Sequence, residues 1–383
     1  MRAMTRPALH PRLGLHALVA LMIGLLVGCT VTEPTAPAES QANSVEPPTT
    51  TTTATTTTTN ITTTSTTAAQ NPDIWTTCRQ ISIDGDGSVQ TLDLTEASGL
   101  VASHSNQEVL WTHNDSASAG TNSTAGVFAV GTDGADLGFF ELVDQTGASI
   151  DGTDTEDIAY RDGRIYLADI GDNGQRRDTV QIHIFDEPNT QPPSSGQVAA
   201  TTVSLTYPDG PTDAEALLVD PLSNEVVIIS KAQLGEVANS RIYSFDLPDL
   251  GPGAPPTIEM ELVDELDTSE LESASTDLSL TALFFPNLVT GADISADGRT
   301  IAIRTYATVW LYPRAEGQTM AEALAGQPCE GGSAAESQGE AVAFLALAAG
   351  RNNPSGSNLN TVYYATVSEG TNPAINVVTV ELG

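Results

Sequence analysis

One phrase recurs along this chain and restricts its fold more than any other feature: an acidic residue, a short run of small and aliphatic residues, a turn, and a second apolar strand. It appears as Glu96 followed by ASGLVAS and EVLWTHND, as Glu156 followed by DIAYRDG and RIYLADIGDN, and as Glu215 followed by ALLVDPLSN and EVVIISK. It returns as Asp293 followed by ISADG and RTIAIRTY, and as Glu340 followed by AVAFLAL and TVYYATVSEG. The acidic starts lie 60, 59, 78 and 47 residues apart. A period of about 50 residues with several strands per unit indicates a β-propeller, because each blade needs neighbours to bury its faces.

Further strand candidates follow the pairs: GVFAVG with LGFFELV, VQIHIFD with TTVSLTY, and RIYSFD with TIEMELV. Short β-branched or aromatic runs between Gly, Asp, Asn and Pro are the all-β signature. Five phrases predict five blades, and the long third interval, with its apolar segment 278–288, leaves room for a sixth. A propeller closes by joining its ends in one blade, so segments 79–83 and 89–94 are expected to complete the last blade with the terminal VVTVEL. Asp84-Gly85-Asp86-Gly87 lacks the remaining spacing of an EF-hand and reads as a β-turn.

The N-terminus supplies the location. Arg2, Arg6 and Arg12 precede an almost uninterrupted apolar run from Leu15 to Gly28, which ends at Cys29. This is the order of a secretory signal. Roughly 14 apolar residues make only about 21 Å of helix, too short for a hydrocarbon core of about 30 Å. The tetrad Leu26-Val27-Gly28-Cys29 resembles the lipobox of bacterial lipoproteins, in which the cysteine is lipidated and becomes the first mature residue. The reading is therefore a signal peptide over 1–28, a threonine-rich disordered tether over 29–73, and a propeller domain over 74–383, lipid-anchored to the membrane outside the cytoplasm. From Thr49 to Thr59 every residue but Ala54 is threonine, which cannot bury enough surface to offset its conformational entropy. With Cys29 lipidated, Cys78 and Cys329 remain, and in an oxidising location they are expected to form a disulfide.

Charge then narrows the partners. The formal net charge is -35 and Lys231 is the single lysine, so nucleic acid is excluded as a partner. Propeller geometry places the start of each blade's first strand and the end of its second at the same end of the channel. That rule gathers Glu96, Glu156, Glu215, Asp293 and Glu340 as a ring of candidate metal ligands. Asn114, Asp115, Asp157, Asp169, Asp172, Asn173, Lys231, Arg304 and Glu369 stand nearby as candidate ligand-binding or catalytic groups. Carboxylates and amides without clustered His or Cys favour a hard cation, Ca²⁺ before Mg²⁺. The competing structural reading is that these acids bond backbone N–H groups and fix blade packing. The GDNG run at 171–174, followed by Arg176-Arg177, reads equally as an ion-binding loop or as a plain turn.

The stretches EASGL with LWTHNDS, TEDIAY with YLADIGDN, PDGPTDAEALLVDP with ISK, GADISADGRTIAIRTY, and GEAVAF with VSEG resemble bacterial extracytoplasmic propellers of the phytase-like, or "esterase-like activity of phytase", type. The resemblance spans most of Glu96 to Gly370 and implies a propeller fold. Phytase activity, which the family name implies, calls for several basic residues to grip phosphates, and this chain has few. Two functions remain. One is a binding propeller whose acidic mouth holds calcium and a small molecule or surface partner. The other is a metal-dependent hydrolase of the phosphoester or lactone kind, using the same carboxylates.

Overall fold

Alternating and β-branched runs form strands throughout the computed structural model, which describes residues 75–383 apart from 116–123, 233–238, 252–254, 272, 274, 276–278 and 346–360. The chain divides into two units, Met1–Thr67 and Ala68–Gly383, and every described residue belongs to the second. The segments expected to be signal peptide and tether, and Cys29 with them, lie outside the described residues.

The strands group into five antiparallel blades of four. Strand β1 (Cys78–Ser88) opens the domain. Blade 1 is β2 (Ala97–Ala102), β3 (Val109–Asn114), β4 (Gly126–Gly131) and β5 (Asp136–Val143). Blade 2 is β6 (Thr155–Arg161), β7 (Arg164–Asp169), β8 (Val180–Asp186) and β9 (Gly196–Thr206). Blade 3 is β10 (Ala214–Val219), β11 (Glu225–Ser230), β12 (Asn239–Asp246) and β14 (Glu261–Asp267), preceded by the short β13 (Ile258–Glu259), which pairs with β9. Blade 4 is β15 (Val289–Ile294), β16 (Thr300–Thr305), β17 (Val309–Pro313) and β18 (Cys329–Glu330). Blade 5 is β19 (Gly339–Phe344), β20 (Thr361–Ser368), β21 (Ala374–Leu382) and, returning from the other end of the chain, β1.

Closure is therefore made by the termini, as expected, with β1 running antiparallel to β21 from Cys78↔Leu382 to Ser88↔Ala374. Two local expectations fail. Gly85 to Gly87 is not a turn but a register shift inside β1, and segment 89–94 is not a strand. The disulfide Cys78–Cys329, with Cα atoms 5.9 Å apart, ties β1 to β18 and so latches the outer strands of blades 5 and 4. A second stitch is parallel pairing of β5 with β9, from Phe140↔Gly196 to Val143↔Ala199, across blades 1 and 2.

Five interblade cores account for the blade number. Leu217, Val226, Ile182 and Val203 pack between blades 2 and 3, and Leu218, Ile229, Ile301 and Ile303 between blades 3 and 4. Val342, Val378, Val309 and Leu311 lie between blades 4 and 5. Leu100, Leu110, Ala341 and Val367 lie between blades 5 and 1, and Trp111, Leu142, Ile158 and Leu167 between blades 1 and 2. Each such Val, Leu or Ile side chain contributes roughly 1.5–3 kcal/mol when fully buried. The ring is complete without a sixth blade, and the segment set aside for one instead forms a short helix, α1 (Leu280–Phe284). A second helix, α2 (Met320–Leu324), carries a capping box from Thr319 and Glu322 and buries Met320 and Leu324 against blades 3 and 4.

The first strands β2, β6, β10, β15 and β19 pack in a ring around the axis. Space there is short. A Cβ on Gly99 would stand 2.8 Å from the Asp157 Cα, and one on Gly291 would stand 2.7 Å from the Glu340 carbonyl oxygen. Each first strand also carries a register shift near its start, located at Ala97/Leu100, Thr155/Asp157, Ala214/Ala216, Val289/Gly291 and Gly339/Ala341. This extra residue decides which side chains reach the channel mouth.

Candidate functional site

The bulges of β6, β10, β15 and β19 each skip one residue, Glu156, Glu215, Thr290 and Glu340, and the break in β2 spans Ser98 and Gly99, with Ser98 at the matching place. Three of the five expected ring acids, Glu156, Glu215 and Glu340, therefore share one tier. The hydroxyl members bond across to the next blade instead. Ser98 Oγ donates to the Glu156 carbonyl at 2.7 Å, and Thr290 Oγ1 donates to the Gly339 carbonyl at 2.9 Å. Glu96 belongs one step outward, level with Asp154 and Asp213, each two residues ahead of the bulge position.

Asp293 is not part of this ring. It lies beyond the bulge of β15, where its carboxylate accepts from Ile294 N at 2.8 Å and Phe344 N at 2.7 Å. Burial, against these two donors, pushes its pKa to about 7. Asp157 is likewise deep. Its carboxylate accepts from Ile158 N at 2.9 Å, Leu217 N at 2.8 Å and Ala292 N at 3.1 Å, bridging three blades. These amides lie on first strands, whose inner edge has no neighbouring strand to pair with. The structural reading of channel carboxylates thus holds for Asp157 and Asp293, whose oxygens are taken by backbone amides.

At the mouth, carboxylates face one another. One oxygen each from Asp115, Asp154 and Glu156 lies within 4.8 Å of the others. Gly171 makes this approach possible, since a Cβ there would stand 2.2 Å from Glu156 Oε1 and 2.7 Å from Asp154 Oδ2. Burial, then Asp154, Glu215, Glu369 and Glu96, raises the Asp115 pKa to about 8. Burial and then Glu215 and Asp115 raise Glu156 well above the carboxylate range, and burial with Asp213 raises Asp154 against the pull of Arg177. Burial and Glu96 bring Glu369 to about 7, while burial and Glu215 bring Asp213 to about 6.

Lys231 answers part of this charge. Its Nζ donates to Glu215 Oε1 at 2.6 Å and stands 5.3 Å from the centre of the Tyr306 ring. Burial works against its charge, yet Glu215, Tyr306, Glu340 and Glu156 keep its pKa well above the ordinary lysine value. Glu340 Oε1 accepts from Gln338 Nε2 at 2.9 Å, while its Oε2 and the Oδ1 of Asp115 are buried without a hydrogen-bond partner.

The remaining candidates support the mouth from behind. Asn114 Oδ1 accepts from Thr95 N and Glu96 N, and its amide donates to the Asp93 carbonyl, which fixes the backbone at Glu96. Asp169 accepts from Thr153 N at 2.9 Å and Asp154 N at 3.0 Å and pairs with Arg177 at 2.8 Å. Asp172 accepts from Arg176 N and Arg177 N, and its own N–H donates to Asp213 Oδ1 at 2.8 Å. The GDNG run is accordingly a turn, closed by Gln175 N on the Asp172 carbonyl, with Asn173 exposed. Arg304, expected among the groups near the ring, is committed elsewhere. It is 1% exposed and ion-paired to Glu336 at 2.7 Å between blades 4 and 5, because the bulge in β15 pairs it with Gly291. Asp154 and Asp213 escaped the sequence reading, although the repeated Asp-x-Glu at 154–156 and 213–215 carried the signal.

No family model and no curated protein matches the chain. Among solved structures it is similar to the β-propeller domain of Cps50 (Swd1) from Myceliophteria thermophila, at 9% identity and a TM-score of 0.32, over 79% of this chain and 100% of that one. It is also similar to Sqt1 from Chaetomium thermophilum, at 13% identity and a TM-score of 0.31, over 75% of this chain and 59% of that one.

Proposed function

We propose that the chain is a lipid-anchored extracytoplasmic propeller that binds a ligand or partner at its acidic mouth, with a divalent cation, calcium first, seated on Asp115, Asp154 and Glu156. The observation that carries this reading is the approach of three carboxylates within 4.8 Å around an unpartnered Asp115 oxygen. Oxygen donors of this kind suit a hard cation. Like charges held this close repel, and a bound cation would offset the repulsion that Lys231, committed to Glu215, leaves in place. The anchor rests on the Leu26 to Cys29 tetrad, and the disulfide is consistent with an oxidising compartment.

Calorimetric titration of the purified protein with CaCl₂ tests the cation. Saturable binding and a melting temperature that rises with calcium and falls with chelator are expected. A protein indifferent to both would overturn the cation. Cys29→Ser is expected to release the protein from the membrane fraction or block its processing, and unchanged membrane association would remove the anchor. Calcium-dependent turnover in a panel of phosphoesters and lactones would move the reading to a hydrolase.

A further inference from the structure

The face of the propeller opposite the acidic mouth carries a groove of ≈ 480 Å³, a volume that suits a small molecule. Three connections of blades 1 and 2 build it. The turn from β2 to β3 contributes Glu108, the turn from β4 to β5 contributes Thr132 and Asp133, and the loop from β8 to β9 contributes Thr190 and Pro192. Strand register brings all three to one end, since Ala102 pairs with Leu110, Val109 with Gly131, and Arg164 with Asp186. The strand starts that carry the mouth acids lie at the other end.

Hydrogen bonds between the connections hold the walls in place. Thr132 N donates to the Glu108 carbonyl at 2.9 Å, Thr190 N to Asn106 Oδ1 at 3.1 Å, and Ser194 N to the Leu137 carbonyl at 3.0 Å. A groove fixed in this way need not be ordered by its ligand, which lowers the cost of binding. Val109, 3% exposed, and the half-buried Leu137 give the lining an apolar part. Thr190 also lines it, is 1% exposed, and has an Oγ1 without a hydrogen-bond partner, so its side chain loses no bond on turning about χ1 toward a ligand. Glu108 and Asp133 stand exposed on adjacent turns, and no lysine, arginine or histidine is among the described residues that line the groove. Glu108 keeps its place at φ 56°, a left-handed backbone in which glycine would be less strained.

We infer that this groove binds a small primary amine with an apolar stem, its ammonium taken by Glu108 and Asp133 and its stem laid along Val109, Leu137 and Pro192. The lining itself selects this chemistry. Two carboxylates and a hydroxyl are acceptors for the three N–H donors of an ammonium, and the same carboxylates repel an anion that no cation of the lining would answer. A neutral alcohol of equal length would keep the apolar contact and lose the charge. The groove is separate from the cation site at the mouth, so the inference stands whether or not calcium binds there.

The test is calorimetric titration of the full chain with n-pentylamine in excess CaCl₂. Saturable binding that weakens as salt rises is expected, with n-pentanol and pentanoate at least about tenfold weaker. Glu108→Gln together with Asp133→Asn should weaken pentylamine at least about tenfold. This variant should keep the wild-type melting temperature and calcium response, because both side chains are exposed and an asparagine oxygen can still accept from Ala135 N, as Asp133 Oδ1 does at 3.0 Å. Thr190→Val should also weaken pentylamine without lowering the melting temperature, since it removes a buried hydroxyl that has no partner. Asp154→Asn together with Glu156→Gln, at the mouth, should leave amine binding unchanged. Absence of pentylamine binding, equal binding of pentanol, or wild-type affinity in the Glu108 and Asp133 variant would overturn the inference. Loss of binding in the mouth variant alone would place the amine at the mouth and overturn it as well.

Discussion

Two tiers of the same channel use the same residue type to opposite ends. In the deep tier Asp157 and Asp293 accept hydrogen bonds from backbone amides of three blades and of two, which leaves these acids little capacity for anything else. At the mouth an oxygen of Asp115 and one of Glu340 have no hydrogen-bond partner, and Asp115, Asp154 and Glu156 face one another. The difference is one of backbone supply. Deep in the ring the inner edges of the first strands turn N–H groups into the channel, whereas the mouth is walled by loops whose amides are already engaged by Asn114, Asp169 and Asp172. A carboxylate surrounded by amides is a fastener. One surrounded by carboxylates keeps its acceptor capacity and its repulsion.

Removing the fastener should have the largest effect. Asp157→Ala strands the Leu217 and Ala292 amides in a buried channel, and each unsatisfied group costs about 1–3 kcal/mol. A loss of roughly 3–5 kcal/mol is expected in chemical denaturation, and an unchanged midpoint would erase the distinction between tiers. The mouth should respond in the opposite direction. Asp154→Asn together with Glu156→Gln relieves repulsion and leaves the Lys231–Glu215 pair intact, so the cation-free protein should melt no lower than wild type while its gain from calcium disappears. A calcium gain that survives both changes would place the cation elsewhere.

The pH dependence sharpens the contrast. The pKa values of Asp115, Glu369 and Asp213 are raised on folding, to about 8, 7 and 6. Stability from such groups is fully present below their unfolded pKa and is lost as pH rises through the folded value. Cation-free protein should therefore melt progressively lower between about pH 5 and pH 8, and calcium should restore more at the upper end, because ligation requires the deprotonated carboxylates. A flat profile measured with chelator would mean that the mouth carboxylates are not coupled as described. The smallest effect is expected from Gly171→Ala. Its methyl group would meet Glu156 and Asp154 and spread the cluster, weakening calcium several-fold with little change in the melting of the cation-free protein. Equal calcium affinity would show that the spacing of this pair is not critical.

Much of this was legible in the chain. The repeated acidic phrase marks all five blades, the strand pairs fall where the apolar runs lie, and Cys78 and Cys329 are paired by elimination. The mouth was legible in part, because Glu156, Glu215, Glu340 and Lys231 occupy strand starts and ends that the propeller rule brings together. Asp293 and Arg304 misled for a common reason. Both lie on blade 4, where the bulge position is Thr290, so the acidic residue that continues the written pattern is three residues too deep. Likewise, the apolar segment before β15 carried enough hydrophobicity for a strand pair, but it folded as the short helix α1 once five interblade cores had closed the ring.

The sequence by itself determined the architecture, since period, alternation and turn residues act locally and repeat along the chain. Only the tertiary structure decided the chemistry of each carboxylate. A strand's side chains alternate with period two, so a single inserted residue at a bulge reassigns which of them face the axis and at what depth. Whether an acid there meets backbone amides or other acids then depends on strands from neighbouring blades, which lie about 50 or more residues away along the chain.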